Sequence, residues 1–295
     1  MVATAAETLT EVASANAIAA IVVTYRSADT LDKCLTRLRE ARDVSEIVVV
    51  DNASDDGSAA IAQVQAEADP RVTVLVNSAN SGFGRACNQA VRLSGSPWVA
   101  FVNPDCWVEP ESLARMREYL DAPARAGIIG ADLVDVEGVR DASARRCEPT
   151  LARMLAGAGR RASVATPADD AVAVQAVDAI SGALMLMPRT LFESLSGFDE
   201  GYRLHAEDLD LCRRVRDAGR GVWVANDVRV VHVRGVSSRT RPWFVEWHKH
   251  RGMWRYFRKF EGRSAKPFKR AVAFLAIWSH FLLAAPHAVL RAQRR

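Results

Sequence analysis

The sequence predicts an α/β protein in which a mostly parallel sheet carries helices on both faces. Short apolar segments rich in β-branched residues alternate with segments in which apolar residues recur at helical spacing. The first of these, residues 18–24, is apolar along both faces, as is typical of a fully buried strand. With 295 residues, 49% of them hydrophobic, the chain can bury one large core or two smaller fused ones.

Predicted strands and helices alternate from residue 18 onward. Strands are expected at 18–24, 46–51, 72–76 and 98–102, and helices at 29–42, 58–68 and 84–93. Further along we expect helices at 110–120 and 207–218, strands at 127–133 and 221–224, two strand pieces within 174–187, and surface loops with at most one helix at 135–170. Because ligands bind beyond the carboxyl ends of the strands in such sheets, residues that follow the strands are candidates for a site.

The charge and the cysteines narrow the class of protein. The net charge of +4 is uneven, since the region from Arg234 to Arg295 is rich in Arg, Lys and His, which predicts an anionic partner for this end. Five scattered cysteines form no C-x-x-C pair, which argues against zinc-ribbon or thioredoxin-like sites and favours a reducing cytoplasm. Residues 1–17 lack a basic region before an apolar core, so we expect a flexible end and not a secretory signal.

Acidic residues follow two of the predicted strands. Asp51 and Asn52 precede a turn rich in Asp, Ser and Gly; a carboxylate there can accept the N–H of a pyrimidine ring, although such residues also cap helices. Asp105 ends the tripeptide Asn-Pro-Asp, which is either a simple turn or a site for Mg²⁺ or Mn²⁺ bound together with a diphosphate. We expect Asp51 and Asp105 to face one crevice.

A third acidic group precedes a predicted amphipathic helix. Glu207, Asp208 and Asp210 lie in its first turn, where the helix dipole favours negative charge. Capping explains one or two of these acids and does not require three. A carboxylate at the mouth of the crevice can instead take the proton from a sugar hydroxyl, as displacement at an anomeric carbon requires.

Six short motifs follow one another in a specific order. They are VVTY at 22–25, VDNASDDGS at 50–58, NSGFG at 80–84, NPD at 103–105, GFDE at 197–200 and ED at 207–208. Over residues 18–260 this order resembles family 2 glycosyltransferases, and most of all the bacterial rhamnosyltransferases, including those that extend a polyprenyl-diphosphate-linked sugar. The resemblance implies a GT-A fold, an inverting single displacement, a nucleotide-diphosphate sugar and a divalent metal, Mg²⁺ or Mn²⁺.

The resemblance also implies residue roles. Asp208, with Glu207 beside it, would be the catalytic base, and Asp105 would bind the metal with His232 nearby. The residues implied at the nucleotide and donor sugar are Thr24, Tyr25, Asp51, Asn52, Asn80, Gly82, Arg85, Asn103 and Arg146. Asn103 stands where the family's metal site often has its first Asp. Arg145 and Arg146 either contact the donor or lie solvated on the surface. The glycines at 82 and 84 lack the third glycine of a dinucleotide fingerprint.

The C-terminal region, residues 236–295, is predicted to be helical and membrane-associating. Residues 243–260 interleave aromatic and basic side chains, a pattern that favours a membrane surface over nucleic acid; the alternative is a helix that packs its aromatics on the catalytic domain. Residues 271–290 lack charged side chains, are flanked by Lys and Arg, and could just span a membrane by length. We favour an interfacial or shallowly inserted helix that holds the protein at the cytoplasmic face of the plasma membrane.

These observations predict an inverting transferase for the bacterial envelope. Residues 18–235 would form the catalytic domain, with a nucleotide-binding half at 18–106 and an acceptor half at 107–235. The expected reaction moves L-rhamnose from dTDP-L-rhamnose to a lipid-linked or polysaccharide acceptor. The alternatives are another UDP- or dTDP-linked sugar and a non-catalytic nucleotide-sugar-binding scaffold. A nucleotidyltransferase is disfavoured, because such enzymes normally have a glycine-rich loop after the first strand and residues 24–29 contain no glycine.

Overall fold

The computed structural model describes residues 15–122, 126–156, 165–233 and 242–293. The strands are β1 (Ile18–Thr24), β2 (Val44–Asp51), β3 (Val72–Val76), β4 (Trp98–Val102), β5 (Cys106–Trp107), β6 (Gly127–Val134), β7 (Arg145–Arg146), β8 (Val174–Ala176), β9 (Ala179–Ile180), β10 (Leu184–Pro188) and β11 (Gly221–His232). The helices are α1 (Ala28–Glu40), α2 (Ser58–Ala68), α3 (Phe83–Arg92), α4 (Ser112–Asp121), α5 (Leu151–Ala156), α6 (Arg189–Ser194), α7 (Glu207–Asp217), α8 (Pro242–Phe260) and α9 (Pro267–Gln293).

The centre of the molecule is a mixed sheet. Its order is β3-β2-β1-β4-β10-β6-β11-β5, and β8 pairs with β11. The strands β1, β2, β3 and β4 are parallel, whereas β10 runs antiparallel to both β4 and β6. The carboxyl ends of β1, β2 and β4 therefore share one edge of the sheet. Because β10 is antiparallel, it begins at this same edge, where Leu184 pairs with Val102.

Apolar side chains of β1 face two separate layers of the core. Ile18, Ala20 and Val22 belong to one cluster, which α1 and α4 cover. The intervening residues Ala19 and Ile21 belong to the other cluster, which α3 and α7 cover. This two-sided burial is the physical reason for the continuous apolar run in the sequence, and it confirms the predicted sheet with helices on both faces.

The structure corrects several predicted elements. β11, predicted at 221–224, continues to His232 through a register shift between Ala225 and Arg229, where the polar residues Asn226 and Asp227 interrupt the apolar pattern. The region 174–187 contains three strands instead of two, and 135–170 contains β7 as well as the short helix α5. Of the segment 1–17, expected to be flexible, residues 1–14 lie outside the described part of the chain.

The two C-terminal helices pack against each other through aromatic side chains. Trp247 of α8 lies 5.0 Å from Trp278 of α9, measured between ring centroids, and His250 shares a 2.8 Å hydrogen bond with His280. The segment Pro267–Leu290 has a mean hydropathy of 1.6 and is long and apolar enough to cross a membrane, by length and composition alone. Only 22% of its most apolar window is buried inside the protein.

Candidate active site

Asp51 and Thr24 stand side by side at the carboxyl ends of β2 and β1. Asp51 is fully buried, and its Oδ1 accepts the Ser54 N–H at 2.9 Å. Among the residues that the structure describes, Asp51 Oδ2 and Thr24 Oγ1 are buried without a hydrogen-bond partner. Such polar atoms are costly to bury unpaired, so their presence together at the binding edge of the sheet marks a place for a polar ligand. Tyr25 follows directly and is partly exposed.

Asn52 and Asn80 shape the loop that leads into α3. Asn52 Nδ2 donates to the Gly82 carbonyl at 3.3 Å, and its Oδ1 accepts from Ser81 Oγ at 3.1 Å. Asn80 Oδ1 accepts the Gly82 N–H at 3.0 Å. Gly82 itself has φ +92°, and a Cβ there would stand 2.9 Å from the Arg203 carbonyl oxygen. The two asparagines thus hold the loop at the sheet edge through their own hydrogen bonds.

Arg85 lies in the first turn of α3. Its side chain is 61% exposed, and its Nε lies 3.4 Å from Glu200 Oε2 in the Gly-Phe-Asp-Glu segment. Within the described ranges, no hydrogen bond or ion pair joins Arg85 to the other predicted donor-binding residues. The donor role of Arg85 stays a prediction.

Asp105 and His232 meet because β5 pairs with the end of β11. The ladder sets His232 opposite Cys106, and the Val233 N–H donates to the Asp105 carbonyl at 2.9 Å. His232 Nε2 then lies 3.4 Å from Asp105 Oδ1, and each side chain is 13% exposed. Asn103 precedes this pair; its backbone N–H donates to the Ala183 carbonyl at 2.8 Å.

The same two residues offer ligand atoms suited to Mg²⁺ or Mn²⁺. Ligand atoms of Asp105, Cys106 and His232 all lie within 4.8 Å of one another. Cys106 is the poor ligand, because burial raises the pKa of its thiol well above the usual range, and its Sγ donates to the Ala183 carbonyl at 3.3 Å. A carboxylate oxygen suits Mg²⁺ and Mn²⁺, and a neutral imidazole is a competent Mn²⁺ ligand, so Asp105 and His232 fit such a metal.

A second carboxylate lies behind His232. Asp141 Oδ2 is 3.6 Å from His232 Nδ1, an atom that is buried without a hydrogen-bond partner among the described residues. A carboxylate on the far nitrogen commonly fixes the ring orientation of a metal-binding histidine. Asp141 lies in the aperiodic region 135–170, and no pattern in the sequence marks it.

Asp208 is held by an arginine and a backbone amide. Arg146 donates its guanidinium N–H to Asp208 Oδ2, and the Gly182 N–H donates to the same oxygen at 3.0 Å. Burial opposes the ionisation of Asp208, but Arg146 and the Gly182 amide outweigh it and hold the pKa of Asp208 below its ordinary value. In contrast, burial and the neighbouring charge of Asp208 raise the pKa of Glu207 to about 8.

Residues 181–183 connect the site of Asp208 to the Asn-Pro-Asp turn that carries Asp105. The Gly182 N–H binds Asp208, and the carbonyl of the next residue, Ala183, accepts the Asn103 N–H. Residues 181–183 therefore lie between the Asn-Pro-Asp turn and the first turn of α7. This connection was predicted only as an interruption between strand pieces, and backbone hydrogen bonds leave no signal in the residue types.

The structure corrects the prediction that Arg145 contacts the donor or lies solvated on the surface. Its side chain is 3% exposed, donates from Nη1 to Asp132 Oδ1 at 2.8 Å and binds Asn226 Oδ1 through Nε and Nη2. The guanidinium is neither solvated nor directed to the Asp208 carboxylate, because β7 sends alternate side chains to opposite sides. Arg146 alone of the two reaches Asp208.

Sequence comparisons agree with this arrangement. The family model "Glycosyl transferase family 2" matches residues 19–195. The chain is 29% identical, over 197 residues, to an N-acetylglucosaminyl-diphospho-decaprenol L-rhamnosyltransferase of Mycobacterium tuberculosis, a match that spans 59% of this chain and 62% of the relative. It is 26% identical over 149 residues to rhamnosyltransferase WbbL of Escherichia coli, spanning 47% of this chain and 55% of that relative. The matches thus span less than two thirds of either relative's length.

A solved structure shares the fold. The mannosyltransferase PcManGT from Pyrobaculum calidifontis, in complex with GDP-Man and Mn²⁺, gives a TM-score of 0.58 at 21% identity and covers 94% of this chain and 73% of that chain. The predicted GT-A fold is thereby confirmed. The family model covers more than half of the chain, and the chain belongs to glycosyltransferase family 2.

Proposed function

We propose that this glycosyltransferase moves L-rhamnose from dTDP-L-rhamnose to a hydroxyl of a lipid-linked acceptor, with inversion at the anomeric carbon. The observation that carries the proposal is the meeting of Asp105 with His232 and of Asp208 with Arg146 on either side of residues 181–183. The names of the two relatives support the sugar, and the name of the mycobacterial relative supports a diphosphate-lipid acceptor.

The nucleotide base belongs at the end of β1 and β2. Asp51 Oδ2 and Thr24 Oγ1 lack partners among the described residues, and a carboxylate beside a hydroxyl suits the N–H and carbonyl of a thymine or uracil ring. Asn52, Asn80 and Gly82 hold the loop over this place. Their proposed role is to shape the donor pocket, since their polar atoms bind one another.

Asp105 and His232 would hold Mg²⁺ or Mn²⁺, with Asp141 orienting the imidazole. Such an ion supplies positive charge that offsets the negative charge developing on the leaving diphosphate. Asn103 precedes this pair in the turn, and its proposed role is to contact the donor. The Mn²⁺ in the complex of the archaeal mannosyltransferase supports a divalent ion for this fold.

Asp208 is the proposed base. It is ionised at neutral pH, and its Oδ1 accepts only the Leu209 N–H, at 2.8 Å, among the described residues, which leaves a lone pair for the acceptor hydroxyl. The hydroxyl proton passes to Asp208 while the hydroxyl oxygen bonds to the anomeric carbon. The bond from that carbon to the diphosphate oxygen breaks, and the nucleoside diphosphate leaves. Arg146 holds the carboxylate in place, and neutral Glu207 avoids a second charge beside it.

The protein is proposed to work at the cytoplasmic face of the plasma membrane. Exposed apolar side chains of α9 include Leu275 at 65%, Leu282 at 68% and Leu283 at 70% exposure. Lys266, Lys269 and Arg270 lie at the start of this apolar stretch, and such a combination suits an anionic membrane surface. Domain halves at 18–106 and 107–235 remain our proposal for how donor and acceptor are divided.

A panel of nucleotide sugars tests the function. Purified protein is incubated with dTDP-L-rhamnose, UDP-GlcNAc or GDP-mannose, with Mg²⁺ or Mn²⁺, and with a diphosphate-lipid-linked GlcNAc acceptor, and the products are measured by mass spectrometry. We expect transfer from dTDP-L-rhamnose and its loss by at least about a thousandfold in Asp208→Asn. The control Asp217→Asn changes an exposed acid at the other end of α7 and should retain activity. Equal turnover by wild type and Asp208→Asn would refute the assignment.

A further inference from the structure

A basic cavity lies beside the candidate active site, between the segment 199–203 and helix α8. Its volume is about 600 Å³. Six cationic side chains line it: Arg203, Arg251, Arg255, Arg258, Lys259 and Arg263. None of the residues proposed for the donor or the metal lines this cavity. It is therefore a separate space with a strongly positive wall.

Most of this positive charge is not neutralised within the protein. Asp199 lies 2.7 Å from Arg255 and 2.8 Å from Lys259, and Lys259 also binds Asp210. The other four arginines, Arg203, Arg251, Arg258 and Arg263, have no acidic partner in the part of the chain that the structure describes. Four unpaired guanidinium groups around one cavity repel each other unless an anion joins them.

The cavity adjoins the proposed site of chemistry through one segment of chain. The side chain of Arg203 lines the cavity, while its carbonyl oxygen lies against Gly82 in the loop 80–82 that leads into α3. Two residues on, the His205 carbonyl lies against Gly252 of α8, where an added Cβ would be 2.8 Å away. This segment then enters α7 at Glu207 and Asp208. A group bound in the cavity is thus one peptide segment away from the proposed base.

We propose that this cavity binds the diphosphate of the lipid-linked acceptor. The inference rests on the proposed function, because it assigns a place to one part of that acceptor. Guanidinium groups match phosphoryl oxygens in shape and charge, and several of them suit a diphosphate better than a single one does. The sugar attached to the diphosphate then extends toward Asp208, and the lipid chain extends away from it.

The position of α8 favours the acceptor over other phosphoryl groups. Arg251, Arg255 and Arg258 recur at spacings of four and three residues, so they lie on one face of α8. The same helix exposes Trp243 and Trp247 near its start and packs on the apolar helix α9. A lipid whose chain lies in the membrane beside these helices presents its diphosphate at the depth of the arginines.

Binding of soluble probes tests the inference without turnover. The probe is farnesyl diphosphate, with farnesol and UDP for comparison, and affinities are measured by isothermal titration calorimetry. The variant Arg251→Gln/Arg258→Gln removes two exposed, unpaired charges and keeps helix-forming residues. The matched control Arg220→Gln changes an exposed arginine that does not line the cavity. Circular dichroism melting confirms that each variant is folded.

We expect the double variant to bind farnesyl diphosphate at least about tenfold more weakly than wild type, since each lost charge-assisted bond contributes substantially to affinity. Arg220→Gln should bind it like wild type, and UDP should bind all three proteins equally. Unchanged affinity for farnesyl diphosphate in the double variant overturns the proposal. An equal loss of UDP affinity also overturns it, because the cavity then serves the donor.

Vesicles distinguish the acceptor from bulk lipid headgroups. Flotation with phosphatidylcholine vesicles, with and without phosphatidylglycerol, should be the same for wild type and the double variant. Loss of flotation with unchanged farnesyl diphosphate binding assigns the arginines to bilayer headgroups and refutes the acceptor subsite. The transferase proposal fails separately: it fails if no nucleotide sugar is turned over, whatever the calorimetry shows.

Discussion

At the scale of single residues, the charge of Asp208 is set by one arginine. Burial alone would favour the neutral acid, and Arg146 reverses that preference. The cost is a weaker base, because a carboxylate with a lowered pKa attracts a proton less strongly. The benefit is that Asp208 is ionised and correctly oriented over the whole physiological pH range. The ion pair with Arg146 therefore keeps Asp208 ionised and oriented, and it lowers the basicity of the carboxylate.

Removing this arginine should change the pH dependence of the reaction. In Arg146→Gln the burial of Asp208 is opposed only by the Gly182 and Leu209 backbone amides, so its pKa rises. The proposed base acts in its ionised form, so we expect activity to be lost as pH falls through that pKa and the acid limb to move to higher pH. We expect kcat/KM of wild type to be flat on the acid side between about pH 5 and 7, and that of the variant to fall there.

The control for this experiment is Arg153→Gln, which breaks an exposed ion pair with Asp178. It should keep the profile of wild type. An identical acid limb in Arg146→Gln and wild type would show that Arg146 does not set the charge of the base. A uniform loss of activity at all pH values would instead assign Arg146 to donor binding alone.

The metal pair can be tested by removing one ligand at a time. We expect Mn²⁺ with UDP to raise the melting temperature of wild type. Asp105→Asn or His232→Ala should abolish this increase, because each removes one of only two proposed protein ligands. Cys106→Ala is the matched neighbour and should retain the full rise, since the Cys106 thiol donates to a carbonyl. A lost rise in Cys106→Ala would make sulfur a ligand and contradict the proposed pair.

At the scale of elements, the loop 80–82 before α3 depends on a backbone conformation that only glycine readily adopts. Gly82 has φ +92° and ψ 160° at the start of α3, and the Arg203 carbonyl leaves no room for a side chain. Asn52 and Asn80 bind this loop from the end of β2 and from the loop itself. The loop and the segment 199–206 are thus packed as one unit around Gly82.

Substitution of Gly82 should therefore cost more than backbone strain alone. Gly57 also has a positive φ, +93°, but an added Cβ meets no atom within 4 Å there. We expect Gly57→Ala to lower the free energy of unfolding by about 1–2 kcal/mol and Gly82→Ala by more than about 3 kcal/mol. Urea unfolding of the two variants measures the difference. Equal losses would show that the Arg203 carbonyl moves aside freely.

Strands and helices could be predicted where the pattern of apolar residues is uninterrupted. Residues 18–24 form a continuous apolar run and α7 has a clear helical period, and their predicted and observed bounds agree closely. β11 was predicted too short because Asn226 and Asp227 interrupt the period at the register shift, although backbone pairing with β6 continues beyond it. A periodic pattern reports side-chain burial, and it does not report ladder hydrogen bonds across an irregular stretch.

The site was predictable where a motif ends a strand. Asp51, Asp105 and Asp208 were identified because strand ends and helix starts can be placed along the chain. Asp141 and the residues 181–183 were not, because their position depends on the pairing of β5 with β11 and on turns in an aperiodic region. Arg145 and Arg146 are adjacent and alike in type, and only the alternation of β7 separates a buried structural arginine from the one at Asp208.

At the scale of the whole molecule, the C-terminal helices form an exposed apolar surface on α9 next to a basic cavity on α8. α9 packs against the protein through a narrow stripe of buried residues at spacings of four, namely Ala273, Ile277, Phe281 and Ala285. Most of its remaining apolar surface is exposed. The basic cavity lies on the adjoining helix α8. The exposed apolar face of α9 fits insertion at the surface of a membrane, and the basic cavity would then lie beside that surface.

The exposed face of α9 can be tested without disturbing its packing. Deletion of the helix would uncover apolar residues of α8, so we expect a cleaner result from Leu275→Glu/Leu282→Glu, which changes two exposed positions two turns apart. Each leucine buried in the membrane contributes about 1.5–3 kcal/mol, so the variant should partition onto phosphatidylglycerol-containing vesicles at least about a hundredfold less. Val64→Glu, a change at a 62% exposed apolar residue of α2, is the control and should float with vesicles like wild type. Transfer to a water-soluble acceptor should be equal in all three proteins, because the active site is untouched. If the α9 variant floats as well as wild type, this face is not the membrane contact, and the exposed leucines have another partner.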